Sequence, residues 1–363
     1  MRLRPFPPES PVFFRYADHE PPMTPDRFAS ITQRYESLKI AVIGDFCLDR
    51  YLEIDPTIHE TSIETGLPVY NVTRVRAQPG GAGTIVNNLV ALGVGSIRPV
   101  TFCGDDGEGY ELRRALGQMP GVSLDGVLTT PLRRTFTYCK PLLMHPGQPP
   151  EELNRLDSKN WSPTPPELES EIQKHLTRAA AEADALIFLV QVDTPETGVI
   201  TRAILQTVAE LSQKYPDKPM LADSRQSLRD WPAVSFKMNA AELAALLDDR
   251  TEQEMEIREV KARAGQLART HGRPVFVSLS ERGIIASEAD GRSCHVPALP
   301  LRGPIDIVGA GDSVTANLAA ALAAGATTEE SLRLAAAASS HVIHQLGTTG
   351  TASREEIRTL MGM

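Results

Sequence analysis

Short, continuous apolar runs recur along this chain, each followed by a stretch with helical spacing. The runs include "KIAVIGD" from residue 39, "ADALIFLVQV" from 183, "PMLADS" from 219 and "PVFVSLS" from 274. A strand that is apolar at every position has no face to give to water, so both faces must be covered. Helices between successive strands supply that cover and the long crossovers that parallel pairing requires. The pattern predicts an α/β fold: a doubly wound, mostly parallel sheet with helices on both faces.

The order of elements follows from local signals. Thr24 and Pro25 read as the N-cap and first position of a helix in "TPDRFASITQRYESL". "GTIVNNLVALG", "GYELRRALGQM", the segment around 197–214 and "AAELAALL" read as helices, and "IRPVTFCGDD" and "FKMN" as strands. "PVFVSLSERGIIASEADGRSCHVPAL" reads as three strands joined by turns, and two long helices close the chain. Two segments, "YLEIDPTIHETSIETGLPVYNVTRV" and "GVLTTPLRRTFTYCKPLLMH", are rich in Thr, Tyr and Val and hold no helical pattern. They read as strands of a small inserted sheet able to act as a lid, with lid segments at about 50–78 and 127–160; long surface loops are the alternative. Residues 1–23 read as a Pro-rich, mobile extension and 24–363 as one domain.

Composition excludes several classes. The net charge of −9 over 363 residues argues against a general nucleic-acid binder, which needs a basic face. No stretch reaches the ~20 apolar residues of a membrane span. Cys47, Cys103, Cys139 and Cys294 form no C-x-x-C pair, which points to reduced thiols in a cytoplasmic protein. His271, His341 and His344 lie in no metal-ligand pattern. The Walker A pattern, the G-x-G-x-x-G dinucleotide fingerprint after the first strand and the protein-kinase H-R-D are all absent.

One stretch offers another phosphate design. "PIDIVGAGDSVTANLAAALAAG" runs from an aliphatic segment through Gly309-Ala310-Gly311-Asp312 into a small-residue helix. Backbone N–H groups at a helix start, with the helix dipole behind them, form an anion hole. Asp312 in the first turn adds a carboxylate able to act as a base. Taken alone, the same four residues would serve equally as an ordinary helix start.

Three further elements accompany it: Asp49 in "GDFCLDR", the pair Gly80-Gly81 in "QPGGAGTIVNNLVALGV", and N-x-x-E at Asn239 to Glu242. With Asp306-Ile307-Val308-Gly309-Ala310-Gly311-Asp312 they stand in the order found in the ribokinase-type (PfkB) carbohydrate kinases, which the chain resembles over roughly residues 39–350. "VIGDFCLDRY", Pro68-Val69, "PGGA" and Arg155 to Asp157 are similar to the D-glycero-β-D-manno-heptose 7-phosphate kinase branch, the kinase part of ADP-heptose synthase. That branch often carries a nucleotidyltransferase domain as well, which a chain of 363 residues is expected to lack. Departures from it are Thr84 where Asn is usual, Val308 where Thr is frequent, Ser62 to Gly66 in place of S-P-E-A-P, and Asp193 to Gly198 without the usual lysine.

The resemblance implies transfer of the γ-phosphoryl of ATP to a hydroxyl of a sugar or sugar phosphate. Asp312 would be the base, and Gly309, Ala310 and Gly311 with it the anion hole. Asp49, Gly80, Gly81 and Asn88 would hold the sugar. If the "PLRRTFTYCK" segment is a strand, Arg134 and Lys140 share a face and could grip a phosphate on the substrate; solvated charges are the alternative. Asn239, Glu242, Ser280 and Gly283 would lie at the nucleotide, with adenine reaching Ala336 to Ser340. Glu242 would hold Mg²⁺ through water, and Asp306 would line a monovalent-cation site for K⁺. The resemblance also implies a homodimer formed through the lid. Two rival readings are a non-catalytic nucleotide- or sugar-binding protein on the same fold, and a nicotinamide-dependent oxidoreductase, against which the missing fingerprint argues.

Overall fold

The computed structural model describes residues 23–248 and 255–363. The mobile extension expected over residues 1–23 lies outside these residues except for Met23, which is buried. Thr24 caps α1 (Pro25–Thr32), accepting from the N–H of Arg27. A 3₁₀ turn leads to β1 (Lys39–Gly44), and β2 (Phe46–Ile54) departs after the single residue Asp45. The hairpin β3 (Glu60–Thr61) and β4 (Pro68–Val69) precedes β5 (Val72–Gly81), which runs into α2 (Ala82–Ala91). Then come β6 (Ser96–Gly104), α3 (Gly107–Gly117), β7 (Val127–Thr130), β8 (Thr137–Leu143), β9 (Glu151–Glu152) and α4 (Pro166–Glu182). The second half carries β10 (Ala185–Val190), α5 (Arg202–Lys214), β11 (Met220–Ser224), β12 (Ser235–Asn239), α6 (Ala240–Leu246) and α7 (Ile257–His271). A meander of β13 (Val275–Ser278), β14 (Ile284–Ser287) and β15 (Ser293–Val296) follows. The chain closes with α8 (Ala310–Ala323), α9 (Thr328–Val342) and the short α10 (Arg354–Leu360), one helix more than the two expected.

Nine strands form one sheet in the order β15-β14-β13-β12-β11-β10-β1-β6-β7. All neighbours from β7 to β13 pair in parallel, and β14 and β15 add antiparallel at the edge. The apolar runs are buried as their composition requires: every residue of β10 is buried. One core layer joins α2, α8 and α9 to the sheet, and the other joins α4, α5 and α7 to its opposite face. The segments rich in Thr, Tyr and Val do supply strands: β2, β5, β8 and β9 make a second sheet in the order β5-β2-β8-β9. The expected lid segment 127–160 begins too early, because β7 pairs in parallel with β6 and is the edge of the large sheet. The rooting of the small sheet was not expected. β2 begins inside "GDFCLDR", so the small sheet grows directly from β1, an interior strand of the large one.

Chain order reverses beside β1. From β1 the chain goes outward to β6 and β7, then returns to add β10 on the other side. Crossovers there leave in opposite directions, and the carboxyl ends of β1 and β10 open onto a crevice of the kind that binds ligands in such sheets. Helix α8 packs there against α2, β10 and β11. From Ser313 to Ala321 every residue of α8 is buried, and most are Ala, Ser or Thr. Small side chains let a helix enclosed on all sides approach its neighbours closely. Ala320→Leu, at a fully buried position, should therefore overpack this layer and cost about 1–3 kcal/mol, read as a lower urea midpoint at unchanged slope.

Candidate active site

The turn before α8 has the geometry its glycines suggest. Gly309 caps the helix at φ +83°, a left-handed conformation that a side chain disfavours. A β-carbon there would lie 3.4 Å from Cβ of Thr349 and 3.5 Å from Cγ2 of Thr84. Of the three amides expected to face an anion, Ala310 N–H already donates to Ile307 O at 3.2 Å. Among the described residues, Gly311 and Asp312 keep first-turn N–H groups with no backbone acceptor.

A lysine lies under this turn. Nζ of Lys237 would be 2.9 Å from a β-carbon on Gly311. It bonds Oδ2 of Asp223 at 2.8 Å, and Thr315 Oγ1 donates to the same oxygen at 3.2 Å. Lys237 and Asp223 are both buried. Burial is the largest influence and opposes the lysine's charge, but Asp223, Asp312 and Glu242 together outweigh it and the ammonium stands above the ordinary lysine pKa. Asp312 faces the same cluster. Burial first and Asp223 second lift its carboxyl to about 7, against the opposing pull of Lys237 and Arg225.

The small sheet supplies the other wall. Its register sets Gln78, Asp49 and Tyr138 in one row, with Arg76, Tyr51 and Lys140 in the next row on the same face. Arg76 and Lys140 cover the Tyr51 ring at 4.7 and 4.9 Å from its centroid. Asp49 is buried, and Lys140 Nζ stands 3.9 Å from its Oδ1. Burial raises the Asp49 carboxyl, and Lys140, Arg155 and Arg225 act against it. Gly80 is required here: a β-carbon would come within 2.5 Å of Asp49 Oδ2. Gly81, at φ +58°, would press 2.6 Å from Asp45 O. Asp45 itself is fully buried, and its carboxylate accepts from the N–H groups of Gln191, Val192 and Val199.

Two expected substrate contacts are placed differently from the rest. Asn88 is fully buried in the helix layer; its Nδ2 donates to Thr84 O one turn back, and its Oδ1 has no hydrogen-bond partner among the described residues. Arg134 precedes β8, which starts only at Thr137, so strand alternation does not align it with Lys140. Arg134 is exposed, and its backbone N–H is held by Asn160. Lys140, Arg155 and Arg225 are the cations that act most strongly on Asp49.

On the nucleotide side, Asn239 and Glu242 form a reciprocal capping box on α6: Asn239 Oδ1 accepts from Glu242 N–H at 2.8 Å, and Glu242 Oε2 accepts from Asn239 N–H at 2.7 Å. Burial raises the Glu242 carboxyl. Asn239 pairs with Ser278, which brings Ser280 and Gly283 beside it. Asp306 bridges two loops, accepting from Val308 N–H and Gly347 N–H at 3.0 and 3.1 Å. Sequence reasoning missed Lys237, Asp223, Arg225 and Tyr138. Lys237 had a signal: a charged residue in the apolar strand "FKMN".

Comparisons with known proteins give the family and the fold. The model of the pfkB family of carbohydrate kinases matches residues 37–355. The chain belongs to that family. Such a protein is a sugar kinase, built as an α/β sheet with a smaller sheet beside it. Similar relatives include the bifunctional protein HldE of Hyphomonas neptunium, 30% identical over 341 residues that cover 93% of this chain and 66% of that one. HldE of Bradyrhizobium is 28% identical over 335 residues, 92% and 66% of the two chains. The chain thus spans just under two thirds of the length of these relatives. Among solved structures, Arabidopsis thaliana ribokinase complexed with ribose and ATP superposes with a TM-score of 0.63 at 19% identity, covering 90% of this chain and 99% of that one. Escherichia coli phosphofructokinase-2 in complex with potassium gives 0.64 at 17%, covering 90% and 98%.

In this kinase the Lys237–Asp223 pair carries a stability consequence. Lys237→Ala leaves a buried carboxylate without its cation and should cost about 3–5 kcal/mol. Urea unfolding measures the loss, and Lys237→Met with Asp223→Leu should recover most of it.

Proposed function

We propose that the protein transfers the γ-phosphoryl of ATP to a hydroxyl of a sugar or sugar phosphate, with Asp312 as base and the turn from Gly309 to Asp312 as anion hole. One observation carries this reading. A carboxyl with a pKa of about 7 sits beside two uncommitted helix-start N–H groups and a lysine ammonium, across the cleft from Asp49. The acceptor oxygen forms its bond to phosphorus as the bond to the bridging oxygen of ATP breaks and ADP leaves with that electron pair. Asp312 orients the hydroxyl and takes its proton late. The N–H groups of Gly311 and Asp312, with Lys237 behind them, meet charge as it builds on the phosphoryl oxygens; such preorganised donors act where water is excluded.

Among the described residues no trio of His, Cys, Asp or Glu forms a metal cage. That suits Mg²⁺ carried on ATP phosphates, which keeps its waters and needs few carboxylates. Glu242, with Oε1 outside the capping bond, would hold it. Asp306 and the carbonyls near it would hold K⁺, and higher activity in K⁺ than in Na⁺ would support that site. At the sugar end, Lys140, Arg155, Lys159 and Arg225 gather around Asp49 and Tyr138. This supports an acceptor that already bears a phosphate, and heptose 7-phosphate heads the panel to assay, beside free heptoses, hexoses, pentoses and their phosphates. Sugar-dependent ADP release separates a kinase from a binding protein on the same fold.

Asp312→Asn should lower kcat at least 10²–10³-fold in that coupled assay. Wild-type kcat/KM should rise with pH through an acid limb near 7, because the base works only when ionised. The same raised pKa means that folding works against the ionised carboxylate, a penalty that builds from the ordinary value of 3.8 up to about 7 and is constant above it. Asp312→Asn should therefore match or exceed the wild-type Tm, with the difference growing as pH rises toward about 7 and then level.

The smaller sheet is the proposed lid and the proposed contact between two copies. The outer edge of β5 carries exposed Val72 and Val75, and the hairpin beside it exposes Ile63, Leu67 and Tyr70. Unpaired apolar edges invite a partner strand. Light scattering should give a dimer for the wild type and a monomer for Val75→Lys with Tyr70→Glu.

A further inference from the structure

The loop after α9 touches both walls of the cleft. Gln345 brackets it, donating to Thr351 O at 2.7 Å and accepting from Thr351 N–H at 3.1 Å. Gly350 packs against the Gln345 side chain, so closely that a β-carbon would come 2.6 Å from its Oε1. Gly347 N–H donates to Asp306, whose other oxygen holds Val308 N–H, one residue before the catalytic turn. The loop is therefore a short, internally bonded bracket fastened to the segment that ends in Gly309.

Thr349 is the point of contact in both directions. Its Cβ and Cα approach Gly309 at 3.4 and 3.5 Å, measured to a β-carbon the glycine does not have. Cγ2 of Thr84, in the first turn after Gly80-Gly81, lies 3.5 Å from the same point. Two threonines thus line the space beside Gly309 that a side chain would fill. The Thr349 hydroxyl accepts from Gln78 Nε2 at 3.0 Å. Gln78 lies directly opposite Asp49 in the β2–β5 pairing, and directly opposed residues share a face of the sheet. Among the described residues this is the side-chain hydrogen bond that ties β5 to the bracket.

We infer that Gln78 and Thr349 are a positioning pair that couples the sugar-binding sheet to the catalytic turn. The inference rests on the kinase reading given above and names a regulation of that same site. When β5 is seated, Gln78 holds Thr349 against Gly309, and the N–H groups of Gly311 and Asp312 point at the phosphoryl. When β5 shifts, the bracket loosens and the turn loses its outer support. Phosphoryl transfer then depends on the sugar strand being in place, which disfavours transfer to water from an enzyme without sugar. Neither residue touches the reacting atoms.

The test has two independent readouts. The first is hydrogen–deuterium exchange on the wild type, Gln78→Leu and Thr349→Val. Both variants should exchange faster than wild type in peptides covering 304–313 and 343–351, with unchanged exchange in the buried strand 185–190. Exchange unchanged at 304–313 overturns the inference, and this holds whether or not any sugar turns over. The second is steady-state kinetics on the acceptor found in the sugar panel. Each variant should lose about tenfold in kcat, which is 1.36 kcal/mol of barrier, with KM for ATP and Tm unchanged. The double variant should be no slower than either single one, and Thr349→Ser, which keeps the hydroxyl, should recover wild-type kcat. Losses that multiply in the double variant, or a Thr349→Ser as slow as Thr349→Val, show two separate local effects and overturn the coupling. A wild type inactive on every sugar refutes the kinase reading instead, and the exchange result still decides the mechanical one.

Discussion

The ion pair between Lys237 and Asp223 is the interaction on which the site depends. Four carboxylates, those of Asp49, Asp223, Glu242 and Asp312, converge from four different elements on a crevice that is mostly out of water. Without a cation among them, mutual repulsion and lost hydration would keep several protonated. Lys237 comes from a strand in the middle of the large sheet, so it arrives with no loop to loosen it. It neutralises Asp223 and still leaves Asp312 with a pKa near neutrality. A carboxyl so placed is a stronger base than an exposed one and still ionises near neutral pH. Lys237 Nζ also stands 2.9 Å from where a β-carbon on Gly311 would be, so the residue that sets the charge balance lies directly beside the turn before α8. Thr315, one turn into α8, ties the helix to the same carboxylate.

Much of this was legible in the chain. Continuous apolar runs alternating with helices are enough for the doubly wound sheet, because burial on two faces leaves few other solutions. The turn before α8 was legible because glycines and a first-turn aspartate before an Ala-rich helix are a local pattern. What was not legible is what depends on where strands end. Arg134 and Lys140 look equivalent in "PLRRTFTYCK", but the strand begins between them, and only Lys140 reaches Asp49. Asn88 looks like a polar surface position on an amphipathic helix, yet α2 is covered by α8 and buries it. Lys237, Asp223 and Arg225 are separated by crossovers, and no spacing rule connects them. The two threonines around Gly309 come from positions 84 and 349, a contact that no window on the sequence contains.

The N-x-x-E element has two roles. Its asparagine and glutamate cap α6 reciprocally, the function any such pair has at a helix start. The cap also fixes the Glu242 side chain in one rotamer, turned back toward the sheet and half-buried beside Lys237. A motif that marks a helix start is here also the means of aiming a carboxylate, and neither role excludes the other.

Asp45 separates the two sheets by a single residue, and its carboxylate is fastened by three backbone N–H groups from the far side of β10. In mechanical terms it is an anchored joint. A sheet that leaves an anchored joint twists along its length more readily than it swings, so displacement grows with distance from the root. A shift at Gln78, opposite Asp49 and near the root, is then small beside one at the hairpin of residues 60–69, and a single hydrogen bond is short enough to register it. The root therefore keeps Asp49 within a narrow range of distances from Asp312, whatever the far end of the sheet does.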